Sequence, residues 1–171
     1  EMSGKKAQAF TFLEKHVQAH SNDIPSAMLL AERQIGKDRA AAIKTYEQVL
    51  TKTPDNFVVL NNLAYLTFED KNLTRAEELA KKAVSLQREN ADAVDTLAQI
   101  YVAKGDKAAA LKLYEEVSAR PIANDDVYLN HVSVLLELDK KALASRKLAS
   151  REFKSEAAKQ RAESLKQQYG L

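Results

Sequence analysis

Four alanines, Ala42, Ala76, Ala110 and Ala144, recur at an interval of 34 residues. A fixed interval of that length implies one supersecondary unit copied along the chain, since stacked copies return the same small residue to the same packing position. In this register Tyr46, Ala80, Tyr114 and Leu148 lie four residues after each alanine, and Val49, Ala83, Val117 and Arg151 lie seven after. Leu29, Leu63, Leu97 and His131 lie thirteen before. Apolar residues three, four and seven apart form one stripe on an α-helix, and no segment alternates with the period of two that a half-buried strand needs. The stripes break in mid-unit at Gly36-Lys37-Asp38, Asp70-Lys71-Asn72, Gly105-Asp106 and Asp139-Lys140. They break again at Thr53-Pro54-Asp55-Asn56, Glu89-Asn90 and Arg120-Pro121. Proline after a helix and Asn or Asp before the next one are boundary residues, so each unit reads as helix, turn, helix.

The units run 23–56, 57–90, 91–124 and 125–154, all within one domain. Two antiparallel helices approach to about 8–10 Å only where small side chains meet, which puts each repeated alanine at a helix crossing. One helix pair cannot bury its own apolar stripe, so stability comes from neighbours stacked on it. Residues 1–22 read as one helix with Ala9, Phe12, Leu13 and Val17 on a face, the second helix of a repeat whose first is absent. Gly4 then falls near a turn, and the chain would begin inside a repeat of a longer array. Residues 155–171 read as a capping helix with Ala158, Ala162, Leu165 and Tyr169 inward and a charged face to water.

The units resemble tetratricopeptide repeats. The third carries the family pattern most fully, with Val94, Leu97-Ala98, Tyr101, Ala110, Tyr114 and Val117; the second has Leu60, Leu63-Ala64, Ala76, Ala80 and Ala83. The first has Leu29, Ala42, Tyr46, Val49 and Pro54, and the fourth is degenerate, with His131 and Arg151 at positions for Leu and a small residue. This resemblance implies an all-α, right-handed superhelical solenoid of about four repeats, with an N-terminal half repeat and a C-terminal cap. It also implies a concave groove lined by the first helix of each unit. Ile24, Ala27, Met28, Ala31, Gln34 and Ile35 would line it in the first unit, and Val58, Asn61, Asn62, Tyr65, Phe68 and Glu69 in the second. The third would supply Asp92, Asp95, Thr96, Gln99, Val102 and Ala103, and the fourth Asp126, Leu129, Asn130, Ser133, Leu136 and Glu137. Every charge in this set is acidic, although the helix dipole alone favours carboxylates at Asp92 and Asp126 in first turns. The implied function is a non-catalytic scaffold that holds an extended peptide or a partner helix, basic or apolar, in an acidic, partly apolar groove. The alternative is a self-assembly module whose exposed repeat ends stack chain on chain into a homo-oligomer. A lysine-and-arginine clamp for a C-terminal carboxylate, known from chaperone-binding members, does not fit: Asn62 and Asn130 match it, but Asp92, Asp126 and Thr96 stand where basic residues are needed.

Within the family, the stretch from Ala40 to Val117 resembles the C-terminal repeats of bacterial lipoproteins associated with PEP-CTERM protein sorting and exopolysaccharide production. That resemblance implies the periplasmic side of a bacterial cell envelope, with membrane contact only through an N-terminal anchor outside this sequence. Without it the expectation is a cytoplasmic protein.

Composition narrows the chemistry. The 171 residues contain no cysteine, which excludes disulfides and thiol catalysis, and no apolar run of 18 residues. The net charge of +2 gives no reason to expect nucleic acid. Between Lys140 and Lys166, however, nine basic residues face three acidic ones. They read as the solvated outer side of a terminal helix rather than a lipid or nucleic-acid surface, because no aromatic residues are interleaved as stacking platforms. No phosphate loop, GxSxG or HExxH is present, so neither enzyme chemistry nor a cofactor is expected. His16 and His20, four apart, could ligate a metal but lack a third ligand in the sequence pattern, and His131 reads as a packing residue.

Overall fold

The residues that start the helices carry the 34-residue register before any packing is considered. A computed structural model describes residues 2–171, side chains included except at 2–4 and 6; Glu1 lies outside the described residues. Among these the chain is all-helical: α1 (Met2–Ala19), α2 (Ile24–Ile35), α3 (Arg39–Lys52), α4 (Phe57–Glu69), α5 (Leu73–Leu86), α6 (Ala91–Ala103), α7 (Lys107–Val117), α8 (Asp125–Glu137), α9 (Lys141–Ala149) and α10 (Glu156–Tyr169). Asn56, Asn90 and Asn124 cap α4, α6 and α8 with their side-chain oxygens. Asp38, Asn72 and Asp106 do the same for α3, α5 and α7, accepting from Ala41, Arg75 and Ala109 N–H groups. Each cap satisfies one of the orphan donors at a helix start. Lys140 occupies the next position in that series and makes no side-chain cap.

The mid-unit turns of the second, third and fourth units share one backbone solution, which the Gly36-Lys37-Asp38 turn of the first does not adopt. Lys71 and Asp139 have φ of 64° and 58°, and Gly105 has 85°, so all three sit in the left-handed region at the same register position. The following amide donates to the carbonyl five residues back, Asn72 to Thr67, Asp106 to Tyr101 and Lys140 to Leu135, which closes a Schellman-type end on α4, α6 and α8. Only the third unit uses glycine there. The other two hold an L-residue in a conformation that costs roughly 1–2 kcal/mol.

The chain forms two compact units, dividing inside α5 between Leu79 and Ala80 rather than at a repeat boundary. In the first, α2 packs on α3, α3 on α4, and α1 on α2. Ala42 and Tyr46 are fully buried with Val59, Leu60, Leu63 and Ala64. The α1 helix departs from the projected register. It runs through Gly4 without a turn, and the expected face divides: Phe12 is 73% exposed and Ala9 is exposed, while Leu13 and Val17 are half-buried. A cleft of about 600 Å³ lined by Glu14, Val17, Ala27, Leu30 and Thr45 lies between α1 and the α2–α3 pair. Leu29, expected in the core beside Leu63 and Leu97, is 43% exposed.

In the second unit α6, α7, α8, α9 and α10 pack around one apolar cluster that includes Val94, Ala98, Ala110, Tyr114, Val132, Leu135, Ala144 and Leu148. Ala110 and Ala144 are completely buried, as crossing residues should be. The α10 helix closes the cluster with Ala158 and Ala162, and with Leu165 and Tyr169 packed against it. The register slips here: α8 begins at 125 and α10 at 156, three residues short of the 34-residue interval. The α9 helix ends at Ala149, so Arg151 does not sit on a packing face. Instead it ties down the α7–α8 loop, donating to the carbonyls of Ile122 and Ala123 and to Asp125. That contact holds the Asp125 carboxyl below its ordinary pKa. No described helix is long and apolar enough to cross a membrane.

Candidate functional site

On α4, Val58, Asn61, Tyr65 and Phe68 are three, four and three residues apart and therefore share one stripe. Tyr65 is 48% exposed and Val58 43%, while Asn61 and Phe68 are half-buried. Beside the stripe, the Asn62 amide donates to the Tyr46 hydroxyl at 3.0 Å. This bond fastens α4 to α3, so Asn62 is a support rather than an open contact. The Asn61 Oδ1 is buried and has no hydrogen-bond partner among the described residues. Glu69 lies 3.8 Å from Arg39, whose closer partner is Asp70 at 3.0 Å. Hydrogen bonding to Asp70 raises the Arg39 pKa further.

The α2 residues expected along this face divide. Ile35 is 38% exposed, and Met28 is half-buried with its sulfur 3.6 Å from the Asn56 amide. Ile24 is half-buried, whereas Ala27, Ala31 and Gln34 are buried. Gln34 Oε1 accepts the Thr45 hydroxyl at 2.8 Å, so this polar side chain closes the α2–α3 contact instead of facing a ligand.

In the second unit the expected groove residues converge on Asp95. Its carboxylate accepts the Tyr114 hydroxyl at 2.6 Å, the Gln99 amide at 2.7 Å and the Asn130 amide at 2.9 and 3.0 Å. Arg161 of α10 in turn donates to Asn130 Oδ1 and lies 3.6 Å from Asp126. One buried carboxylate thus joins α6, α7 and α8, with α10 linked through Asn130. Burial and the adjacent Asp95 carboxylate push the Tyr114 hydroxyl well above its ordinary pKa. Thr96 is also buried, its hydroxyl returned to the Asp92 carbonyl, and Leu129 and Leu136 belong to the apolar cluster.

The acidic character expected of the groove is therefore met largely from within the chain. Asp92 accepts from Asn124 at 2.9 Å, Glu137 pairs with Lys107 at 2.9 Å, Asp126 faces Arg161, and Asp95 is enclosed. The Ser133 hydroxyl donates to the Leu129 carbonyl, Val102 is half-buried and Ala103 is exposed. The Asp95 hub carried no sequence signal as a packing element, because its partners lie 19 and 35 residues away.

The histidines are accounted for structurally. His16 is 2.9 Å from Asp23, the N-cap of α2, and its ring stacks on His20 with centroids 4.5 Å apart. Hydrogen bonds from Ser26 and His16 hold the Asp23 carboxyl down at about 2. His131 is buried, stacked on Tyr114 at 5.2 Å and bonded to the Ser118 hydroxyl at 3.1 Å. No group of three or more potential metal ligands occurs among the described residues.

Comparison with known proteins agrees with this architecture. Residues 58–90 and 91–119 each match a family model described as tetratricopeptide repeat. No curated protein matches the sequence. Among solved structures, the chain is similar to MamA at 16% identity, covering 97% of this chain and 94% of that one with a TM-score of 0.75. It is also similar to PilF of Pseudomonas aeruginosa, at 19% identity over 99% and 86% of the two chains, TM-score 0.74. A putative kinesin light chain from Podosopora anserina, with nearly identical TPR-like repeats, is 19% identical over 87% and 86%, TM-score 0.71. At these identities the likeness shows the fold alone: an all-helical solenoid of helix pairs.

Proposed function

We propose that this chain, which carries tetratricopeptide repeats, is a non-catalytic scaffold that binds an extended peptide or a partner helix along the α4 stripe. The observation that supports this reading is the contrast between the candidate surfaces. Tyr65 and Val58 stand open on one stripe, whereas the acidic residues of α6 and α8 have partners inside the chain. A rigidly mounted tyrosine supplies large apolar area at low entropic cost, which is why aromatic residues anchor interfaces. Apolar residues of the partner would lie on Val58, Tyr65 and Phe68. Asn61, whose Oδ1 lacks a partner, would bond the partner backbone after a change of rotamer, and Glu69 would meet a basic flank. The remaining residues expected in the groove, Asp92, Asp95, Thr96, Gln99, Asp126, Asn130, Ser133 and Glu137, are assigned to holding the second unit together and to its polar rim. A place in bacterial envelope protein sorting or polymer export rests on the resemblance of Ala40 to Val117 to the PEP-CTERM-associated lipoproteins.

A peptide array probed with the wild-type chain and with Val58→Ser/Tyr65→Ala tests the surface. The wild type is expected to retain a set of apolar-anchored peptides that the variant loses. An unchanged set, or no retained peptide at all, would overturn the proposal.

A further inference from the structure

The basic stretch from Lys140 to Lys166 does not form one surface. Lys159 and Lys166 pair with Glu156 and Glu163 on their own helix, Arg161 turns to Asn130, and Lys141 donates to the Tyr169 carbonyl. Two of its cations instead meet Arg120 around an open cleft of about 440 Å³ between the α7–α8 loop and the end of α9. Lys147 and Arg151 both lie over the Tyr128 ring, 4.9 and 4.5 Å from its centroid. Arg151 is committed to Asp125 and to two loop carbonyls. Lys147 is half-buried and has no carboxylate partner among the described residues. Among the described residues Arg120 pairs with Glu89, in a bridge about two-thirds exposed on both sides. Such exposed pairs exchange easily, since they contribute little.

The cleft thus gathers three cations, and the nearby carboxylates Asp125 and Glu89 neutralise only two. The aromatic face of Tyr128 attracts both cations but cannot cancel their mutual repulsion. Burial and the neighbouring Arg151 charge accordingly lower the Lys147 pKa. An incoming oxyanion would remove that conflict and gain charge-assisted hydrogen bonds from Lys147 and Arg120. The volume is within the range of small-ligand sites. We propose that this cleft binds a phosphate group through Lys147 and Arg120, with Arg151 as a fixed supporting charge. It is separate from the α4 stripe and stands or falls independently of partner binding there.

Titration of the isotope-labelled chain with inorganic phosphate, followed by NMR at the Lys147 ammonium and the Arg120 and Ser150 amides, tests it. Vesicles carrying phosphatidic acid form a second arm that separates free phosphate from a lipid headgroup as the source. Saturable shifts with either probe are expected. Lys147→Gln should weaken binding at least about tenfold, the loss of one charge-assisted bond. Arg120→Gln, on an exposed loop where folding is not at stake, should weaken it as well. Shifts that never saturate, or both variants binding as the wild type does, would overturn the site.

Discussion

His131 shows how a single residue can leave the repeat pattern without breaking it. Leu63 and Leu97 fill the equivalent positions in the preceding units, and His131 is as buried as they are, stacked on Tyr114. Burial, assisted by the charge of Lys147, pushes its pKa down from 6.5 to about 4. The folded chain therefore keeps this ring neutral at a pH where the unfolded chain has protonated it. Above pH 6.5 the contribution to stability is complete; as the pH falls from 6.5 to 4 it is lost, by about 3 kcal/mol, and below 4 the dependence ends. Chemical denaturation across pH 4–7 should show this loss in the wild type, and His131→Leu should flatten it. Equal slopes in the two proteins would remove His131 from the pH response. That His131 packs was legible from the register. Its bond to Ser118 was not, because α7 ends three residues earlier in the register than α3 and α5, which leaves Ser118 in the loop.

At the scale of the helix, the ends were the most legible part of the sequence. Asn56, Asn90 and Asn124 cap where the 34-residue interval puts them, and so do Asp38, Asn72 and Asp106. Lys140 is the exception, with a cation at a helix start where the backbone dipole is positive. Lys140→Asp restores the series and should raise stability by about 1 kcal/mol, read as a higher urea midpoint with an unchanged slope. No rise would mean that α9 does not need the cap its sequence lacks. Helix rotation was much less legible. The α1 helix forms where its apolar spacing puts it, yet Phe12 points to solvent, because spacing alone defines a stripe and not which neighbour covers it. Arg151 was legible only as an anomaly. The shortened α9 moves it off the helix and into the loop, where its five donors find carbonyls and a carboxylate.

For the whole molecule, the repeat establishes the architecture, and function depends on which positions each unit leaves free. The two compact units differ in this. The first presents an apolar stripe on α4, whereas the second turns its equivalent polar residues inward on Asp95 and carries a basic cleft on another side. A sequence reading that treated all groove positions alike could not see this difference. It depends on Tyr114 and Asn130 reaching Asp95 from other helices, and on Arg161 arriving three residues early. Peptide binding through α4 is read out by mapping amide shifts when the labelled chain is titrated with a peptide retained on the array. The largest shifts should fall on Val58, Asn61, Tyr65 and Phe68, with those around Asp95 unmoved. Shifts centred on α6 and α8, with α4 silent, would contradict it.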